Sequence, residues 1–364
     1  MANQNLGDAK KAKYDEFYTQ YQDIEKEMNA YLEYDRNVFK GKVILLPCDD
    51  PEWSNFTKYF AQNFAKLGLK KLISTSFAAD SKPQNIFYQP TIFEVESPQF
   101  DETKTKSRGK IFTLSRDNNE DSLIDFNDIE WTYLAGSGDF KSEEIRKLRD
   151  ESDVIITNPP FSLFRDFLEW ILEANKKFVI LGNMNAVTSK EIFPLIRHNK
   201  VWFGVTRTGV GSMWFGVTDN APDKTGQKIV DGKRFQTVGS SAWYTNLDHG
   251  RRHQPIPLMN MEDNIKFSKH PAIRNSGYKK YDNYNAIDVS FTDSIPSDFE
   301  GAMGVPISFL SKYNPDQFEI LDANDYREEH QSVKSYGLIK DASGSVDGVN
   351  KYVRVLIRHR GNLN

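Results

Sequence analysis

The chain has 364 residues, 51 acidic against 47 Lys/Arg for a formal net charge of −4, and is 38% hydrophobic and 13% aromatic. That suits one large α/β domain with a smaller one beside it and excludes overall disorder. A single cysteine, Cys48, excludes an intramolecular disulfide and fits a reducing cytoplasm; with six scattered His it offers no paired ligand spacing for structural zinc. The start, Met1 to Lys13, is too polar for a signal peptide, and the longest apolar runs fall far short of a membrane span.

In chain order, helical spacing over 15–36 comes first, behind the polar-aromatic cluster Glu16-Phe17-Tyr18-Thr19-Gln20. Gly41 introduces a buried strand, Val43 to Leu46, that stops at Pro47-Cys48-Asp49-Asp50-Pro51. Ser54 to Leu67 predicts a helix ended by Gly68, and Lys71 to Phe77 a second strand. From Ala78 to Asn127 the pattern breaks into Ser, Thr, Lys, Asp and Asn, predicting an inserted loop or hairpin region. Trp131 to Leu134 predicts a third strand leading to Gly136-Ser137-Gly138-Asp139-Phe140, with a short helix over Ser142–Arg149. A fourth strand, Val154 to Ile156, empties into Thr157-Asn158-Pro159-Pro160-Phe161; an amphipathic helix over 163–173 and a fifth strand, Phe178 to Leu181, follow. Strands alternating with helices through short connections call for a parallel sheet covered on both faces, with ligands at the carboxyl ends of its strands. Beyond residue 200 short aromatic strands alternate with basic loops. Residues 201–280 hold twelve Lys/Arg against six Asp/Glu, leaving the rest of the chain at −10. Charge segregated in this way predicts a basic surface on an otherwise acidic protein.

The Asn158–Phe161 turn carries the most chemistry. By composition, Asn-Pro-Pro-aromatic turns up in roughly 0.3% of chains this long, and a place directly after an apolar strand is rarer still. The Asn158 side-chain oxygen and the Pro159 carbonyl can accept the two hydrogens of an exocyclic NH₂, while Phe161 can stack on the ring that bears it. Pro159 and Pro160 fix φ and remove competing donors, so the carbonyls stay where they are aimed. A nicotinamide oxidoreductase is disfavoured, because no G-x-G-x-x-G follows the first strand.

With those residues in hand, the chain resembles the amino-methyltransferases that use S-adenosylmethionine, most closely the EcoRI-type adenine-specific DNA methyltransferases. The likeness rests on Asp15 to Tyr21, Cys48-Asp49-Asp50-Pro51, Gly138-Asp139-Phe140, Thr157 to Phe164, and stretches at Tyr281–Tyr284, Gly304–Ile307 and Gln317–Ile320. It implies a Rossmann-like methyltransferase sheet with helices on both faces and a smaller α+β target-recognition region. It divides the chain into a cofactor-binding catalytic domain over 1–250, with the insertion at 78–127, and a DNA-binding region over 251–364. The activity implied is methyl transfer from S-adenosylmethionine to N6 of a flipped adenine in duplex DNA, as a restriction-modification methylase, with no metal and no obligate protein partner. Phe17, Tyr18 and Thr19 would lie against the methionine moiety of the cofactor. Asp49 and Asp50 would pair its amino group or orient its binding loop. Asp139 would accept from its adenine amine with Phe140 beside the ring, and Asp80 is the nearest candidate for the ribose hydroxyls. Asn158, Pro159, Pro160 and Phe161 would hold the target base. The first loop departs from the superfamily in having no glycine, as the EcoRI type does. RNA adenine, a protein glutamine amide and a non-catalytic DNA-binding relative stay open as alternatives, since an amide presents an NH₂ of the same shape.

Overall fold

Uninterrupted Val/Ile/Leu runs form strands buried on both faces, and they make the centre of the sheet in the computed structural model of the protein. The structure describes residues 18–49, 54–78, 97–115, 124, 128–189, 191–206, 213–217, 226–237, 241–321, 344–351 and 354–360. Its contacts separate two units, residues 1–184 with 206–247, and residues 185–205 with 248–364.

The first unit opens with β1 (Tyr18–Thr19) and α1 (Tyr21–Tyr34), followed by β2 (Val43–Leu46), α2 (Asn55–Gln62), α3 (Phe64–Leu67) and β3 (Lys71–Ser76). Next come α4 (Glu102–Ser107), β4 (Lys110–Leu114), β5 (Glu130–Tyr133), α5 (Glu143–Glu151), β6 (Val154–Thr157), α6 (Phe164–Glu173) and β7 (Lys177–Asn183). After α7 (Phe193–Arg197) and β8 (Trp202–Phe203), which belong to the second unit, it resumes with β9 (Trp214–Gly216), β10 (Gln227–Val230), β11 (Lys233–Thr237) and β12 (Ser241–Thr245). The main sheet runs β5-β4-β3-β2-β6-β7-β12. Strands β3, β2, β6 and β7 are parallel neighbours, with Ile44 opposite both Leu72 and Val154. Strand β12 closes antiparallel on β7. Helices α2 and α3 carry the crossover from β2 to β3, and α6 that from β6 to β7. Asn63 breaks the first crossover into two helices, and Gly68 ends it at φ 64°, where only a residue without a Cβ sits at ease. Helix α1 buries Ile24, Met28 and Tyr31 completely, spaced by four and three residues, against Phe39, Phe60, Ile156 and Phe215.

The structure corrects three expectations. Within the supposed insertion, the described residues include α4 and β4, and β4 lies between β3 and β5 as an integral, antiparallel strand. Its alternating burial belongs to a strand with one half-wet face, and polar neighbours masked that alternation. The first helix starts at Tyr21 rather than near 15, because Tyr18 and Thr19 pair as a strand with Gly216 and Phe215. The fifth strand does not stop at Leu181: Gly182 and Asn183 continue β7, paired with Ala242 and Ser241.

A second, antiparallel sheet of the first unit runs β1-β9-β11-β10. The second unit adds α8 (Met261–Phe267), α9 (Pro271–Ser276), β13 (Lys279–Lys280), β14 (Ala286–Asp288), β15 (Ala302–Pro306), β16 (Phe318–Ile320), β17 (Ser345–Val346), β18 (Val349–Asn350) and β19 (Arg354–His359). Its five-stranded sheet is ordered β13-β14-β15-β19-β16. Among the described residues no helix is long and apolar enough to cross a membrane.

Candidate active site

Chain order in the main sheet reverses between β2 and β6: β2 leads outward to β3 on one side, and β6 outward to β7 on the other. Crossovers that diverge from a pair of adjacent strands leave a crevice at their carboxyl ends, where open α/β sheets bind ligands. The loop after β2 and the Asn158–Phe161 turn after β6 meet there.

Asp49 joins them. Its carboxylate is buried and accepts from two hydroxyls, Ser54 Oγ at 2.7 Å and Thr157 Oγ1 at 2.5 Å. Its amide donates to the Thr75 carbonyl at 3.0 Å, and its own carbonyl accepts from Ser74 Oγ. One residue thus ties the ends of β2, β3 and β6. Ser54 also caps α2, accepting from Phe56 N at 3.1 Å, so the same hydroxyl anchors the helix.

Asn158 follows Thr157 directly. Its Nδ2 donates to Thr19 Oγ1 at 3.3 Å, and its Oδ1 is closed off from solvent. The Thr19 carbonyl accepts from Asn55 Nδ2 at 2.8 Å. Three stretches expected to share a site, Thr19, Asp49 and Asn158, are therefore linked through hydrogen bonds. Pro159 is buried and Pro160 half-buried; the Pro160 carbonyl accepts from Leu163 N at 2.9 Å, closing the turn into a 3-10 segment over Phe161–Leu163. The half-buried Phe161 ring packs against the core cluster.

Asp139 lies on an exposed loop after β5. Its Oδ1 accepts from Lys141 N at 2.9 Å in an Asx turn, and the cap of α5 is Ser142 instead. Ala78 N donates to the Ser137 carbonyl at 2.9 Å, docking this loop on the end of β3. Gly138, at φ 86° and pressed on the Ser76 carbonyl, leaves no room for a side chain. Phe140 is buried, with its ring 5.1 Å from Phe167 and 5.7 Å from Trp170 in edge contacts, so it anchors the loop from beneath. Tyr18 is half-buried in β1. Phe17, Asp50 and Asp80 lie outside the described residues.

Sequence reading gave Ser54, Asn55 and Thr157 no role at the site. Ser54 had a helix-cap signal; the partners of Thr157 and Asn55 are too distant in sequence to leave one. Arg251 and Arg252 of the basic 201–280 window turn to protein partners: Arg252 lies 3.8 Å over the Trp202 ring and donates to Asn199 Oδ1 at 2.8 Å, while Arg251 donates to the Val205 carbonyl. His253 bridges Asp248 and Asp316. Burial opposes its protonation, but those two carboxylates outweigh burial and raise its pKa. These side chains brace the second unit. Trp243 is core, at 1% exposure.

Comparison with known proteins agrees with this geometry. The family model described as the adenine-specific methyltransferase EcoRI matches residues 5–360. The type II methyltransferase M.EcoRI of Escherichia coli is 38% identical over 360 residues, 98% of this chain and 97% of that one. M.MpnI of Mycoplasma pneumoniae is 35% identical over 364 residues, 98% of each chain. M.MgeORF184P of Mycoplasma genitalium is 34% identical over 359 residues, 96% of this chain and 97% of that one. No solved structure matches. With nearly its whole length matched, and with the Asn-Pro-Pro-Phe turn at the reversal point of its sheet, the chain belongs to the EcoRI adenine-specific methyltransferase family.

Proposed function

We propose that the protein is a site-specific type II DNA methyltransferase that transfers a methyl group from S-adenosylmethionine to N6 of an adenine flipped out of duplex DNA. The observation that carries this reading is the Asn158–Phe161 turn, set where β2 and β6 diverge and linked to the cofactor-side loop through Thr157 and Asp49. The catalytic domain is read as a Rossmann-like sheet over 1–250 and the target-recognition region as 251–364. The enzyme works in the cytoplasm, where the Cys48 thiol stays reduced.

S-adenosylmethionine, when bound, supplies an electrophilic methyl group on a sulfonium. The residues present fit it: Asp139 offers an exposed carboxylate on a rigid turn at the sheet's carboxyl edge, suited to an exocyclic amine. Asp49 is turned inward, which favours a role in orienting the loop after β2 over pairing the donor's amino group. Phe140 supports Asp139 from the core. Phe17, Tyr18, Asp50 and Asp80 remain assigned to this cofactor by resemblance.

At the target base, Asn158 Oδ1 and the Pro159 carbonyl accept the two N6 hydrogens. Adenine N6 is a poor nucleophile because its lone pair is delocalised into the ring. Acceptors on both hydrogens favour pyramidal nitrogen and stabilise the positive charge that develops there. Phe161 stacks on the purine, and Pro159 and Pro160 hold the carbonyls in place. Flipping costs a few kcal/mol. Phosphate contacts offset it, and the β10–β11 hairpin, with Lys228, Lys233 and Arg234, supplies basic groups for them.

The test is Asn158→Ala in the full chain, assayed with labelled S-adenosylmethionine on unmodified duplex DNA, RNA and protein. The wild type should label adenine in DNA alone. The variant should lose transfer while keeping its cofactor affinity; near-normal turnover would refute the mechanism.

A further inference from the structure

The tip of the β10–β11 hairpin is apolar and stands in solvent. Ile229 and Val230, the last two residues of β10, are 71% and 44% exposed, Ile229 more than any other large apolar side chain among the described residues. Such a pair gains when a partner removes it from water. The charges around it say which partner. Lys228 and Lys233 lie on one face of the ribbon, and Arg234 lies on the other, directly opposite Ile229. Against these three cations stands one acid, Asp231 in the turn. An apolar tip straddled by cations suits a duplex, with phosphates outside and stacked bases within. The ribbon is also stiff. Thr237 N donates to the Gly226 carbonyl at 3.0 Å across its base, Gln227 Nε2 to Gln236 Oε1 at 3.1 Å, and Arg234 Nη2 to Gln227 Oε1 at 3.0 Å.

Strand register fixes where this tip stands relative to the candidate active site. One row of residues crosses the small sheet, Thr19, Phe215, Gln236 and Gln227, on β1, β9, β11 and β10 in turn. The row starts beside the Asn158–Phe161 turn, where Thr19 meets Asn158. At the ordinary spacing of strands it spans about 14 Å. Ile229 follows Gln227 by two residues, so it projects from the same face as Thr19. We infer that Ile229 is a wedge that enters the base stack where the target adenine has left it, with Lys228, Lys233 and Arg234 on the flanking phosphates. This rests on the function proposed above and adds the residue that holds the duplex open. An extruded nucleotide stays tethered to its backbone, so the gap lies on the order of one groove width, about 12 Å, from the pocket that receives the base. The major groove admits a two-stranded ribbon, and apolar side chains inserted at a base step unstack it. Ile229 buried in that gap stabilises the extruded state and takes no part in the chemistry.

The experiment compares wild type, Ile229→Ala and Ile229→Leu in the full chain. The adenine labelled by the wild type is located by sequencing the product, and short duplexes are built around it, either fully paired or mismatched opposite the target. Single-turnover methyl transfer, thermal unfolding and sedimentation are then measured. Ile229→Ala should slow transfer to the paired duplex about ten- to fiftyfold, the worth of two to three carbons no longer buried. On the mismatched duplex, where extrusion costs least, most of that loss should vanish. Ile229→Leu, which keeps the volume, should stay within about threefold of wild type. The melting temperature of Ile229→Ala should match wild type, because the side chain is exposed in the free protein. An equal loss on both duplexes, or a loss that follows a lowered melting temperature, overturns the inference. So does a wild-type dimer that Ile229→Ala splits, which would give the tip to a second copy of the chain. A wild type that methylates no DNA adenine sinks both the functional reading and this one, whereas an active wild type matched by Ile229→Ala on the paired duplex sinks only the wedge.

Discussion

Asp49 shows how a carboxylate at a strand end can serve a site without facing its ligands. Both oxygens accept from protein hydroxyls, and the residue is 6% exposed. Removing the carboxylate in Asp49→Ala leaves the Ser54 and Thr157 hydroxyls buried without that acceptor, at about 1–3 kcal/mol each when nothing replaces it. Urea unfolding should show Asp49→Ala less stable by about 2–4 kcal/mol, allowing for partial relaxation. A loss below about 0.5 kcal/mol, the level of an ordinary surface change, would mean the strand ends are held by other contacts. Of this site, the place of the Asn158–Phe161 turn was legible because two prolines end an apolar strand, and the turn does follow β6 directly. Asp49 was legible as a strand-end acid, but its inward orientation was not. That orientation depends on Thr157, 108 residues away, and Asn158 likewise donates to Thr19, 139 residues away. Pairings over such distances leave no local periodicity.

Among the elements, the β6-α6-β7 crossover was read closely because its apolar runs and its helix have distinct periods. The edge beyond β3 was not, since β4 alternates over only five residues between polar tracts. Nor was the excursion of 185–205 into the second unit, which no shift in composition marks. The same crossover aims the turn. Helix α6 starts at Phe164, immediately after the Phe161–Leu163 segment, and the Phe164 ring lies on Gly182 of β7. A Cβ on Gly182 would collide with three carbons of that ring, Cζ at 2.7 Å among them. Gly182→Ala should therefore push the start of α6 off the sheet and cost about 1–3 kcal/mol by overpacking. Because the displaced end carries Phe161, methyl transfer should fall while affinity for S-adenosylmethionine, whose proposed site is at the other strand ends, changes little. Thermal melting with parallel kinetics checks this; full activity together with an unchanged melting temperature would show that the helix can slide without cost.

At the scale of the whole molecule, an acidic protein must present some basic surface to bind DNA, and the outer face of the small sheet carries one. Asp231 and Gly232, at φ 50° and 73°, form the two-residue turn that gives the β10–β11 hairpin its twist. The Lys228 ammonium lies 4.2 Å over the Trp214 ring. With Phe235, Val230 and residues 20–23 it lines a groove of about 400 Å³. Asp23 shares that groove. Burial, only partly countered by Lys26, pushes its carboxyl up to about 6. A folded-state pKa above the unfolded value means that the folded protein takes up the proton first. Asp23 therefore disfavours the folded state once ionised above pH 6, and that penalty fades as pH falls through 6 toward the unfolded value near 3.8. An ionised Asp23 in that groove would work against a phosphate held by Lys228. Lys228→Gln should weaken DNA binding across sequences and reduce the slope of log affinity against log salt by about 0.9, the effect of one lost phosphate contact. Asp23→Asn should tighten binding above pH 6 and leave it unchanged near pH 5, where the wild-type carboxyl is mostly protonated. Titrating both variants with duplex DNA at pH 5 and pH 8, over a range of salt, separates the two effects. An unchanged salt slope for Lys228→Gln would move the DNA surface elsewhere on the protein, and an Asp23→Asn gain of equal size at both pH values would show that the carboxyl stays ionised throughout.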